Sequence, residues 1–165
     1  MRHSFLSALA IAVILTGCAG GSPTTRSTMS SSLPQSSGLP PVDTAAAQRL
    51  LSPDETLQTL DFPASGTKTL SGRIEGYKTV AYALPVRQGQ RLEVTMESPS
   101  SSAYFNIYDA KDTSGAAIFA GETAGTNTAL IRVSEDATYV IRPFLVRAVA
   151  RRGESANYTF KIERQ

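Results

Sequence analysis

The sequence predicts an all-β protein, a single antiparallel β-sandwich domain preceded by a signal peptide and a flexible tether. Three observations carry this prediction. Apolar and polar residues alternate in several short runs, the pattern of strands with one buried face. Breaks rich in Gly, Ser, Asn and Asp recur between those runs. Most of the chain's Phe and Tyr residues fall within 66–165, so the material for a core lies in one block.

The chain starts with a basic pair, Arg2 and His3, followed by an unbroken, largely apolar run from Phe5 to Leu15. A membrane-spanning helix needs about 20 apolar residues, so this shorter run reads as the apolar part of a secretory signal. It ends in Leu15-Thr16-Gly17-Cys18, which resembles the bacterial lipobox. In that motif the signal, here residues 1–17, is removed and the new N-terminal Cys is acylated. Cys18 is the only cysteine in the chain. Several acyl chains on one residue give stable membrane anchoring where a single chain would be marginal. Ala19, rather than Asp, follows the cysteine. By the familiar sorting pattern this implies a lipid anchor in the bacterial outer membrane, facing the periplasm.

Residues 18–65 read as the lipidated Cys and a tether. From Gly21 to Thr44, Ser, Thr, Pro and Gly make up most of the chain and no aromatic residue occurs. Such a segment buries too little apolar area to offset its ordering entropy. Its reach as a flexible chain is roughly 25–30 Å, enough to clear a bilayer surface. Ala45 to Leu60 carries two short helical hints. One is Ser52-Pro53-Asp54-Glu55, which reads as a capping box with Leu57 and Leu60 on one face beyond it. A turn or two of weakly docked helix is expected there.

The sandwich is expected over residues 66–165. Val80, Tyr82, Leu84 and Val86 alternate with other residues, as do Leu92, Val94 and Met96, then Ala129, Ile131 and Val133, then Tyr158, Phe160 and Ile162. The breaks fall at residues 88–90, 98–102, 125–127 and 152–157. No internal repeat stands out.

Composition excludes several functions. A formal charge of +2, from 16 basic and 14 acidic residues, is too balanced for a protein built around a nucleic-acid backbone. One cysteine allows neither an intrachain disulfide nor a cysteine-rich zinc site. The only histidine, His3, leaves with the signal segment, and with it any Ser-His-Asp or Cys-His apparatus. Asp109 and Asp112 lack the ligand density of a calcium loop and read as solvated turn residues. No Gly-rich phosphate loop is present. The chain is therefore expected to be a non-enzyme without metal or cofactor.

One charge feature remains. Arg142, Arg147, Arg151 and Arg152 lie in one short stretch that contains no acid. Arg147 and Arg151, four apart, face the same way whether the segment is extended or helical. Guanidinium forks suit carboxylates and are common interface anchors. A solvated loop beside anionic lipid or peptidoglycan is the plainer reading of the same residues, and composition alone leaves both open.

Ser71-Gly72-Arg73-Ile74-Glu75-Gly76-Tyr77, then Tyr82, Gly89-Gln90 and Arg91-Leu92-Glu93-Val94, resemble the start of the bacterial periplasmic inhibitors of g-type lysozyme. Tyr104 is similar to that family's mid-strand tyrosine. Tyr139 to Arg142, with Arg147, Arg151 and Arg152, resembles its stretch of spaced arginines, and Tyr158 with the alternating C-terminus completes the likeness. The resemblance covers residues 71–165. The wider sandwich is similar to pre-peptidase C-terminal domains, which are binding or accessory modules, so fold alone does not define function.

What the resemblance implies is a small sandwich that occludes the acidic cleft of a g-type lysozyme with a patch of Tyr77, Arg147 and Arg151. Tyr139 and Arg142 would support that patch and Arg152 would sit at its rim. The alternative is a cell-wall or protein-binding module of an outer-membrane lipoprotein. The chain departs from the family's Ser-Gly-x-Tyr turn at Asp136-Ala137-Thr138-Tyr139. If that glycine takes positive φ, alanine there costs about 1 kcal/mol or the turn must differ.

Overall fold

The computed structural model describes residues 38–165. The expected signal peptide, Cys18 and the tether as far as residue 37 lie outside the described residues. In chain order the elements are α1 (Thr44–Arg49), β1 (Glu55–Thr59), β2 (Gly66–Glu75), β3 (Thr79–Val86), β4 (Arg91–Glu97), β5 (Ala103–Asp109), β6 (Ala117–Ala120), α2 (Gly121–Ala124), β7 (Thr128–Arg132), β8 (Ala137–Leu145), α3 (Arg147–Arg151) and β9 (Ser155–Arg164).

The strands form two sheets, in the orders β1-β3-β8-β5-β6 and β2-β9-β4-β7. This is the expected all-β sandwich, and its named pairs are antiparallel except β1 with β3, which is parallel. Alternation decides which side chains enter the core. Leu84, Phe105, Ile107 and Ile141 from one sheet meet Ile74, Leu92, Val94, Phe160 and Ile162 from the other, all essentially without solvent contact. Phe105 and Phe160 join the layers edge to face, with ring centroids 5.3 Å apart. Such a pair contributes about 0.5–1.5 kcal/mol beyond the area it buries.

Residues 38–65 correct the sequence reading. They are part of the domain rather than a tether. Asp43 caps α1 by accepting the Ala46 amide at 2.8 Å. Ala46 and Ala47 then pack against Ala81, Ala83 and Val140 on the outer face of the first sheet. These are small side chains, so the helix lies close to the sheet.

Ser52 to Glu55 does not open a helix. The Glu55 carboxylate accepts the Ser52 amide at 2.6 Å, as a capping box would, but the chain leaves this turn extended. It pairs with β3 from Glu55 opposite Thr79 to Thr59 opposite Ala83. A helix this short is marginal alone. The open edge of β3 offers the backbone partners instead. Leu60 and Phe62, 4% and 7% exposed, then join the main core.

Candidate functional site

Two segments that lie far apart in the sequence touch at one end of the sandwich. The turn from β2 to β3 carries Gly76 and Tyr77. Gly76 has φ of 59°, a left-handed conformation that favours glycine. Its amide donates to the Glu154 carbonyl at 2.8 Å. A Cβ at position 76 would lie 3.2 Å from the Ala150 carbonyl oxygen. The turn is thus docked on the end of α3.

One turn of helix forms at α3 because Val149 and Ala150 pack inward against the core. The same geometry turns Arg147 and Arg151 outward, on successive turns of one face. Both are exposed, and among the described residues neither takes part in a salt bridge. Tyr77 beside them is 51% exposed.

A cleft of about 310 Å³ opens at this end, with Tyr77, Arg142, Arg147, Phe144, Asp54 and Glu122 among its lining residues. Arg151 is not part of the cleft wall and stands on the neighbouring surface of α3. Tyr77 and Arg147 are therefore brought to one opening, with Arg151 one helical turn away.

The supporting residues are placed differently. Arg142 projects from the outer face of β8, and its Nε and Nη2 donate to the two Glu55 carboxylate oxygens at 3.0 and 2.6 Å. It also lies 5.2 Å over the Tyr108 ring. Its charge is thus neutralised within the domain, in a pair whose side chains are 21% and 7% exposed. It forms a wall of the cleft and not a free fork.

Tyr139 does not belong to the patch. It points into the core, 4% exposed, at the far end of β8 from α3. Burial, reinforced by Asp109 and Glu135, raises its phenol above the ordinary tyrosine range. Strand alternation explains the correction, because Tyr139 and Ile141 share the inner face while Arg142 takes the outer one. Arg152 is exposed and paired with Glu154 at 2.6 Å. The alanine at position 137 introduces no strain at a positive φ. It is the first residue of β8, opposite Val86, in extended backbone.

Sequence reasoning missed several residues of the cleft, among them Phe144, Glu55, Asp54 and Glu122. Phe144 packs 6.4 Å from Tyr104 across β5 and β8, giving the outer face an aromatic pair. The signal for it was available, since Tyr104, Asn106 and Tyr108 alternate with Phe105 and Ile107 and so place aromatics on both faces. Glu55, Asp54 and Glu122 reach the site only through the parallel pairing of β1 and the fold of α2. No local pattern announces them. Among the described residues no group of three His, Cys, Asp or Glu side chains is arranged to hold a metal.

No protein-family model matches the sequence, and no curated protein matches it either. Solved structures do match. The periplasmic lysozyme inhibitor of g-type lysozyme from Aeromonas hydrophila is 27% identical over 67% of this chain and 97% of its own, with a TM-score of 0.59. The domain resembles the periplasmic inhibitors of g-type lysozyme. The inhibitor of that name from Salmonella Typhimurium shares the fold, at 18% identity over 66% of this chain and 97% of its own, with a TM-score of 0.51. A pre-peptidase C-terminal domain of a collagenase from Bacillus anthracis is also matched, at 11% identity over 66% of this chain and 94% of its own, with a TM-score of 0.46. The first two are named as inhibitors of g-type lysozyme.

Proposed function

We propose that this chain is a periplasmic inhibitor of a g-type lysozyme that works by plain occlusion, with no bond made and no cofactor. The observation that carries the reading is the fold shared with the Aeromonas hydrophila inhibitor across nearly all of that protein. The docking of the Tyr77 turn on α3 supports the choice of site.

A muramidase cleft holds a carboxyl acid. Arg147 and Arg151, outside every salt bridge among the described residues, present guanidiniums that can meet carboxylates bidentately. Tyr77 supplies amphipathic area beside them at low entropy cost. Arg142 acts from beneath, held by Glu55, and Arg152 lies at the rim where charge chiefly affects association rate. The exported chain is held in the outer membrane by lipid on Cys18.

The test of function is loss of turbidity of a bacterial suspension treated with g-type lysozyme, with the chain from Cys18 onward added. Protection at micromolar excess supports the reading. No protection against several g-type lysozymes refutes it, and salt-sensitive binding to purified peptidoglycan without protection would favour a cell-wall module. For the anchor, Cys18→Ser should move the protein from the membrane fraction to the soluble periplasm. Continued membrane fractionation of that variant would contradict lipidation.

A further inference from the structure

The sheets end on β1 and β6 in one layer and on β2 and β7 in the other. An edge strand exposes a row of unpaired amides and carbonyls, and native sequences blunt it with inward charges, bulges or proline. Three of the edges are blunted in this way. β1 starts with Glu55, whose carboxylate is turned inward against Arg142. β2 turns Lys68 to its inner side, in phase with Leu70 and Ile74. The pairing of β6 with β5 is irregular between Ile107 and Tyr108. β7, Thr128–Arg132, has no proline, glycine, inward charge or bulge. It also carries Leu130, which at 61% is the most exposed large hydrophobic side chain among the described residues.

Register decides which backbone groups of β7 are free. The Met96 amide donates to the Asn127 carbonyl and the Val133 amide to the Gln90 carbonyl, each at 2.9 Å. Between these bonds Val94 lies opposite Ala129 and Leu92 opposite Ile131. Antiparallel bonds close at every second pair, so Ala129 and Ile131 turn their backbone towards β4. Thr128, Leu130 and Arg132 turn theirs to the open edge. The Thr128 amide is held loosely by the Thr126 hydroxyl, at 3.3 Å. Among the described residues, no loop backbone group receives the amide of Leu130 or Arg132.

We propose that β7 is a self-association edge, to which a second copy of this chain adds its own β7, antiparallel and centred on Leu130. In that register the segment is self-complementary. Leu130 meets Leu130 of the second copy, Ala129 meets Ile131 and Arg132 meets Thr128. Apolar side chains face apolar ones and no like charges are opposed. Parallel pairing in register would instead set Arg132 beside Arg132, which repulsion disfavours. Around the dyad, the outward amides and carbonyls of the two strands satisfy one another, and the two β2-β9-β4-β7 sheets become one. The contact is isologous and closes at two copies, because each β7 edge is then used up. It also points the two Tyr77 ends in opposite directions. The inference goes beyond the inhibitor reading, and its test needs no lysozyme.

A contact made by one short strand falls in the weak, transient class of interfaces. Sedimentation equilibrium of the exported chain carrying Cys18→Ser should therefore show the mean mass rising from one chain towards two between about 10 µM and about 1 mM. Leu130→Pro removes only an amide on the open side, where edge strands accept proline, and Leu130→Lys places like charges at the dyad. Both variants should keep the circular dichroism of the parent and the mass of one chain throughout. Oxidation reads the register. Cα atoms of a bonded antiparallel pair lie about 5.5 Å apart, within reach of a disulfide. Leu130→Cys with Cys18→Ser should yield a disulfide-linked dimer. Thr128→Cys in the same background, with its two Cα atoms roughly 14 Å apart, should yield at least about tenfold less. A parent that keeps the mass of one chain throughout would overturn the proposal, as would undiminished association of the folded Leu130→Lys variant. Equal cross-linking at positions 128 and 130 would overturn the pairing centred on Leu130.

Discussion

Replacing Phe62 by alanine distinguishes an integral strap from a tether. Phe62 precedes β2 by four positions, is 7% exposed and belongs to the main core cluster. Truncating a buried phenylalanine typically costs about 3–5 kcal/mol, the spread reflecting how well the site collapses. A second loss adds to this. The Arg164 guanidinium lies 3.9 Å over the Phe62 ring and donates to the Phe62 carbonyl at 3.3 Å. A cation over an aromatic face contributes about 0.5–2 kcal/mol, depending on its desolvation. Leu60→Ala, at 4% exposure, is the companion change and should cost about 2–5 kcal/mol. Urea denaturation of the exported chain carrying Cys18→Ser, followed by circular dichroism, reads both. With a slope of about 1–3 kcal/mol per molar, each midpoint should fall by about 1 M or more at unchanged slope. Stabilities within about 0.5 kcal/mol of the parent would refute the placement of residues 60–62 in the core and restore the tether.

Gly72→Ala should destabilise by more than a surface change, because a Cβ there would lie 2.3 Å from the Tyr158 hydroxyl oxygen, which is bonded to the Tyr82 hydroxyl at 2.8 Å. Overpacking of about 1–3 kcal/mol is expected, with partial rescue in Gly72→Ala/Tyr158→Leu, measured by the same urea titration. Glu55→Ala should cost about 3–5 kcal/mol by stranding Arg142, and Glu55→Leu/Arg142→Met should recover much of it. Alkaline pH should weaken the fold. Burial raises the phenols of Tyr82, Tyr139 and Tyr158 above 10.0, so their contribution is intact below that pH and is lost as pH rises through the folded values.

The sandwich was legible because its strands alternate cleanly. Tyr158, Phe160 and Ile162 could be assigned to a buried face without any knowledge of what lay opposite. The two-part site was legible only through the family resemblance, since nothing local connects Tyr77 with Arg147. The structure supplies the connection, through the Gly76 amide and the backbone around Ala150. The strap was misread because Ser52–Glu55 makes the hydrogen bond of a helix start and then enters a strand. Its conformation is decided by the β3 edge, a partner far along the chain that no local propensity reports. Tyr139 was misplaced for a simpler reason. Its neighbours in sequence suggested an arginine patch, while its parity along β8 assigned it to the core.

The most direct test of the central claim is the inhibition constant of the exported chain against a g-type lysozyme, compared with Arg147→Ala, Arg151→Ala and Arg152→Ala. Removing either central arginine strands a desolvated carboxylate on the enzyme, a loss of about 2–5 kcal/mol, or roughly 30- to several-thousand-fold. Arg152→Ala, which breaks only an exposed pair with Glu154, should change the constant by less than about tenfold. Unchanged inhibition by both Arg147→Ala and Arg151→Ala, with the parent inhibiting and all variants folded, would contradict the account.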